Sequence, residues 1–297
     1  MTNARDAGGT IDETGADDAS PWRLPASSGA GRVCLIVTEL DRVTAFYRDV
    51  VGLSVLSGTN DRTSLGVDGE PLIELRADPD APERGRTEAG LFHTAIRVPS
   101  RAALADALAR IREEWRLDGA SDHHVSEALY LTDPEGNGVE IYCDRPREAW
   151  PIDDQGRVEM DTLPLDLGDL AATATGTNAA PSGTDLGHVH LEATDLGAAR
   201  EFYADALGLN RRQRMGASAL FLAAGDYHHH VGLNTWNGRS APRSGRGLAW
   251  FELRVPAPAL ATLQSRLEAV TDVEKRSDGS LAAAAPDGLE LRLAAER

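Results

Sequence analysis

Two stretches of this chain can be laid over one another without a gap. Arg32 to Leu53 reads RVCLIVTELDRVTAFYRDVVGL, and His188 to Leu209 reads HVHLEATDLGAAREFYADALGL, at a constant offset of 156 residues. The offset aligns Phe46 with Phe202, Tyr47 with Tyr203, Asp49 with Asp205 and Gly52 with Gly208. Each copy opens on alternating apolar residues, the period of a half-buried strand. Each runs on into a helical spacing of apolar residues and closes on Gly, the residue that most readily ends a helix. A duplication of this kind restricts the chain to folds that use one strand–helix unit repeatedly.

A weaker pair extends the pattern. HTAIRVP at 93–99 resembles WFELRVP at 250–256, and each leads into an Ala/Leu-rich amphipathic stretch. DPEGNG followed by VEIY, at 133–142, recurs as PDG followed by LEL, at 286–291. The chain therefore reads as four strand–helix–strands modules, at about 31–80, 90–145, 186–237 and 247–293. The fold class is α+β. Residues 1–27 read as a polar, acidic, Gly-rich tail, expected to be disordered and dispensable. Residues 28–147 and 185–297 read as two domains of two modules each, and 148–184, rich in Asp, Gly, Ala and Thr, as a linker.

With 47 acidic against 30 basic residues, the chain carries a formal charge of −17. Phosphate binding needs basic patches, so nucleic acid is not expected as a partner. Lys275 is the sole lysine. An acidic, lysine-poor surface is the expectation for a salt-rich cytoplasm, where screening relieves self-repulsion. Cys34 and Cys143 form no disulfide framework and fit a reducing compartment. No apolar run approaches membrane-spanning length and the N-terminus lacks a signal core, so a cytoplasmic protein is expected. A homodimer is left open.

The chemistry sits in the histidines. All eight fall in four places: His93, His123–His124, His188 with His190, and His228–His230. A lone His is more often packed or exposed than a ligand, but all of these lie on expected strands or strand-edge loops. Pleat alternation puts Val189 and Leu191 of HVHLEA toward a covering helix and His188 and His190 on the other face. The face of His93 also carries Ala95 and is less clear-cut. In GVEIY, Val139 and Ile141 face the helix and Glu140 faces away, either as a metal ligand or as a solvent-facing strand residue. Imidazoles with one carboxylate suit Fe(II), Mn(II) or similar ions and leave open positions.

LDRVTAFYRDVVGL, DHHVSEALYLTDPEGNGVEIYCDRP, LGHVHLEATDLGAAREFYADALGL and YHHHVGLNTW together resemble the glyoxalase/bleomycin resistance/extradiol dioxygenase (vicinal-oxygen-chelate) superfamily, and within it the two-domain catechol 2,3-dioxygenase-like proteins. The likeness runs from about residue 31 to 250. It implies βαβββ modules paired into two glyoxalase-like cups, one around a divalent metal held by two His and one Glu.

Paired in chain order, neither half supplies this set. The N-terminal half has His93 and Glu140 but Arg32 in the other His position. The C-terminal half has His188 and Glu290 but Trp250 in the corresponding one, and its Glu290 segment is two residues shorter. Pairing the second module with the third gives His93, Glu140 and His188, the preferred set. The alternative is His188, His230 and Glu290. The resemblance also implies an acid–base His and a Tyr before the DP-G-N turn, matched by His123 or His124 and by Tyr130, and a further His, best matched by His229. The implied reaction is extradiol cleavage of catechol or a substituted catechol with O2 at Fe(II), or Mn(II). The competing expectations are another metalloenzyme of the superfamily, such as a glyoxalase-type isomerase or thiol transferase, and a non-enzymatic drug-binding resistance protein.

Overall fold

The structure, a computed structural model, describes residues 22–296. The first module holds β1 (Gly29–Val37), α1 (Leu40–Ala45), β2 (Ser54–Gly58), β3 (Arg62–Val67) and β4 (Glu70–Ala77). The second holds β5 (Gly90–Arg97), α2 (Arg101–Glu114), β6 (Gly119–Asp122), β7 (Ser126–Thr132) and β8 (Gly138–Asp144). Between the halves come β9 (Leu163–Pro164) and α3 (Leu167–Ala171). The third module holds β10 (Asp185–Glu192), α4 (Leu196–Arg200), β11 (Asn210–Met215), β12 (Ala219–Ala223) and β13 (Val231–Asn234). The fourth holds β14 (Gly247–Val255), α5 (Ala259–Glu268), β15 (Val273–Lys275), β16 (Leu281–Ala285) and β17 (Leu289–Ala295). This is the α+β, four-module architecture expected from the repeat.

Local chemistry sets the helix ends. Ser100 caps α2 by accepting from Ala103 N, and Asp195 caps α4 by accepting from Gly197 N and Ala198 N. α1 and α4 each widen into a π-helical turn at the repeated aromatic pair, Phe46–Val50 and Glu201–Ala206, burying Tyr47 and Tyr203 completely. Gly52 and Gly208 then close both copies with φ of +91° and +90°, a conformation in which a Cβ is costly.

The sheets do not follow the halves. One sheet runs β15-β16-β17-β14-β1-β4-β3-β2, joining the first and fourth modules. The other runs β11-β12-β13-β10-β5-β8-β7-β6-β9, joining the second and third. The seams are antiparallel: β1 on β14 and β10 on β5. Residues 28–147 and 185–297 are thus units of sequence, each giving one module to each cup.

The leading segments of the halves cross over in the same way. Leu24 N donates to Gly208 O at 2.9 Å, and Ala180 N donates to Gly52 O at 2.9 Å. Leu24 and Ala180 are themselves 156 residues apart. Each is followed by a matching turn, Ser28 N to Pro25 O and Thr184 N to Pro181 O. Two boundaries move as a result. The expected tail, 1–27, lies outside the described residues up to 21, but Leu24 is buried in the core.

The expected linker, 148–184, is a packed strap. β9 pairs with the edge of β6, Leu170 is fully buried, and Asp106 of α2 accepts from the backbone N–H groups of Thr175 and Gly176. Covering an edge strand this way removes an aggregation-prone row of unpaired backbone groups. Among the described residues, no helix is long and apolar enough to cross a membrane.

Candidate metal centre

Three adjacent strands build the site. In register, His190 on β10 faces His93 on β5, and Ala95 on β5 is the cross-strand partner of both His188 on β10 and Glu140 on β8. Ala95 has almost no side chain. The room it leaves lets His188 and Glu140 lean in from either side while His93, two residues away on the same face, closes the triangle. The residue that blurred the sequence pattern is therefore the spacer of the site.

Glu140 Oε2 lies 2.9 Å from His93 Nε2 and 3.2 Å from His188 Nε2. One donor atom from each residue lies within 4.8 Å of the other two, and all three residues are buried. His93 Nε2 nevertheless has no hydrogen-bond partner. A buried polar atom without a hydrogen-bond partner is costly, and a cation bound between these donors would relieve it. Burial pushes the His188 imidazole down to about 4, against the pull of Glu140. Burial would raise Glu140, yet the flanking His188 and His93 hold its carboxyl well below the usual range. Both directions favour the forms that bind metal, neutral imidazole and carboxylate. The residues present fit a divalent cation with open coordination positions.

Around this triangle lies a cavity of about 310 Å³. Its apolar wall is Phe92, Met160, Met215, Phe221 and Trp236, and no Lys or Arg is among the residues lining it. Met160, Asp161 and Thr162 come from the strap between the halves, so a segment read as linker roofs the site. Composition hid this, because isolated apolar residues among Asp, Gly and Thr show no periodicity.

The other expected site residues divide. His123 lines the cavity: its Nε2 lies 2.6 Å from Tyr130 Oη and its Nδ1 2.6 Å from Asp161 O. A carbonyl only accepts, so Nδ1 carries the proton and Tyr130 donates to Nε2. Tyr130 is the cross-strand partner of Glu140, and burial pushes its hydroxyl pKa well up. His124 does not join them. It takes φ of +66° in the β6–β7 turn and is exposed, lining a different pocket with Asp122 and Arg145.

His229 lines the cavity, its ring centroid 4.0 Å from that of His188. His230 turns away, accepting from Ala224 N at 3.1 Å and stacking on Tyr227. Glu290 lies on β17 in the other sheet, bonded to Arg292. The set His188, His230, Glu290 is therefore not brought together. The sequence reading gave no role to His190, although its cavity-facing position followed from the pleat. Its Nε2 accepts from Asn234 Nδ2 at 3.1 Å. Gly232 makes room for that ring, since a Cβ there would lie 2.9 Å from His190 Cγ.

The chain is similar to known proteins in both sequence and fold. Residues 29–141 match the family model described as Glyoxalase/Bleomycin resistance protein/Dioxygenase superfamily. A catechol-2,3-dioxygenase of Bacillus subtilis is 42% identical over 236 residues, 76% of this chain and 82% of that protein. A biphenyl-2,3-diol 1,2-dioxygenase of Rhodococcus globerulus is 32% identical over 114 residues, 37% of this chain and 60% of that one. Among solved structures, a putative dioxygenase of Bacillus subtilis superposes with TM-score 0.64 at 15% identity, covering 92% of this chain and 86% of that one. Maize glyoxalase I superposes with TM-score 0.57 at 15% identity, covering 90% and 92%. At that identity the structural likeness speaks for the fold alone. The catechol-2,3-dioxygenase relative carries the assignment further: this chain belongs to the Glyoxalase/Bleomycin resistance protein/Dioxygenase superfamily, as a catechol 2,3-dioxygenase-like enzyme.

Proposed function

We propose that the protein is an extradiol ring-cleavage dioxygenase that opens catechol or an apolar-substituted catechol beside its hydroxyl pair with O2. The observation that carries this is the buried convergence of His93, Glu140 and His188 beneath an aromatic-walled cavity. These three would hold Fe(II), with Mn(II) as the alternative. Bound there, the ion would chelate the diol and supply the redox chemistry that lets the ring react with O2. Both oxygen atoms enter the product, so no external reductant is needed.

The chain's own residues do the rest. Phe92, Phe221 and Trp236 grip the faces and edge of a flat ring and exclude water. His229 takes a proton from a diol hydroxyl. The Tyr130 Oη–His123 Nε2 pair also lines the cavity and can pass a proton back as the ring opens. Asp161 lines the cavity, and no Lys or Arg does. A carboxylated catechol would meet like charge and find no partner, so the uncharged diol is the better substrate.

Superfamily isomerases and thiol transferases remain a second reading. The cluster of His123, His190 and His229 around the three donors, with an apolar wall, favours the ring-cleavage reading over them. The test is direct. Iron-loaded protein in air, assayed at several salt concentrations, should convert catechol to a yellow ring-opened semialdehyde with one O2 consumed per product. Folded, iron-loaded protein with no oxygen uptake across a panel of catechols would refute the proposal.

A further inference from the structure

Behind the cavity wall lies a buried chain of polar groups that the proposed chemistry does not use. His228 is almost fully buried, stacked on Tyr227 at 4.0 Å between ring centroids and flanked by Trp150 at 5.2 Å. Its Nε2 lies 3.0 Å from Asp144 Oδ1, and its Nδ1 lies 2.8 Å from His229 Nδ1. The other carboxylate oxygen, Asp144 Oδ2, accepts from Tyr227 Oη at 2.9 Å and from Arg97 NH1 at 3.1 Å. Tyr227 Oη also lies 2.8 Å from Tyr142 Oη.

With a neutral His228, donor and acceptor rules set the protons along this chain. A carboxylate only accepts, so His228 Nε2 carries a proton. In the neutral ring, His228 Nδ1 is then bare, and His229 Nδ1 must donate to it. That leaves His229 Nε2 as the bare nitrogen. It makes no hydrogen bond to the described residues, and its ring lines the cavity. We infer that Asp144 and His228 are positioning residues that hold His229 in the one tautomer whose Nε2 lone pair faces the cup. The inference rests on the reading of His229 as the group that takes the diol proton. Neither positioning residue touches substrate. Each acts through the ring beyond it, as a buried carboxylate does when it orients a general base.

The arrangement makes an isosteric change more harmful than a truncation. In Asp144→Asn, the donors Tyr227 Oη and Arg97 NH1 keep the amide oxygen on their side. The amide NH2 then faces His228 Nε2 and makes it an acceptor. His228 moves its proton to Nδ1, His229 Nδ1 becomes an acceptor, and the cup-facing Nε2 becomes an N–H that cannot take a proton. Asp144→Ala removes the constraint without reversing it, at a greater structural cost, because two buried donors lose their acceptor.

The test uses the full chain in two forms. Zn(II)-loaded protein labelled with 15N at histidine, at mildly alkaline pH, reports each tautomer through long-range 1H–15N correlations. His229 Nε2 should be bare in the native protein and protonated in Asp144→Asn. With iron, Asp144→Asn should lose about 100-fold in kcat with KM and metal content unchanged. Asp144→Ala should melt at a lower temperature than Asp144→Asn yet turn over faster. A protonated His229 Nε2 or a doubly protonated His228 in the native protein would overturn the inference, as would activities that follow melting temperatures. The tautomers are read without turnover, so they decide this point even if no catechol is opened.

Discussion

The described residues form two cups of the same construction, and among them only one converges donors on a point. In the second-and-third-module cup, His188, His93 and Glu140 meet beside Ala95. In the other, the repeat puts Arg32 in the place of His188 and Trp250 in the place of His93. The register also decides the third position. Ala95 pairs with Glu140, and its counterpart Glu252 pairs with Arg292, not with Glu290. Glu290 sits opposite Trp250, two residues away.

Arg32 binds Glu252 and Glu74, Arg292 binds Glu290 at 2.6 Å, and both guanidiniums lie against Trp250, at 3.8 Å for Arg292 and 5.5 Å for Arg32. One cup leaves His93 Nε2 without a hydrogen bond beside a cavity. Its twin fills the same positions with mutually satisfied ion pairs stacked on an aromatic ring. The shared fold does not choose between metal binding and structural filling; three side chains do.

That contrast can be broken most sharply at the ligands. Glu140→Ala or His93→Ala should bind no iron and fall below detectable turnover, while Glu290→Ala should match the native protein in both; metal analysis with an oxygen-uptake assay decides it. Next in size is His229→Ala. It should retain its iron and lose about 100- to 10,000-fold in kcat, and loss of iron with activity would instead make His229 part of the metal site.

Acid should distinguish the cups by stability. Burial holds His188 at about 4 and His230 at about 3, whereas the unfolded chain protonates these rings near about 6.5. Between those values the unfolded state takes up protons and the folded state does not. Stability should therefore be flat above about pH 6.5 and fall as pH drops toward about 4. A melting temperature independent of pH over that window would contradict the neutral assignment.

The smallest effect is expected in the filled cup. Arg32→Ala leaves the buried Glu252 without its main partner, so it should cost about 1–3 kcal/mol in stability while kcat stays within about two-fold.

Much of this was legible in the residues because strand period and repeat offset are local signals. The gapless match from Arg32 and His188 marked the modules, and pleat alternation put His188, His190 and Glu140 on one face. Three things were not legible. The fate of neighbouring histidines depends on backbone twist at turns: positive φ sends His124 outward beside His123, and the turn into β13 separates His229, which lines the cavity, from His230, which lines a different pocket. Asp144 carries no motif, and its meeting with His228 joins residues 84 apart. The strap was masked by its polar composition, although Pro25 and Pro181 already stood at the repeat offset.

The central claim is that one cup holds a metal through His93, Glu140 and His188 and the other holds none. Anomalous diffraction at the iron edge from anaerobically iron-loaded crystals tests it in one map. The account predicts a single peak per chain, within coordination distance of those three residues. A peak beside His230 or Glu290, or none in well-ordered, iron-soaked crystals, would contradict it.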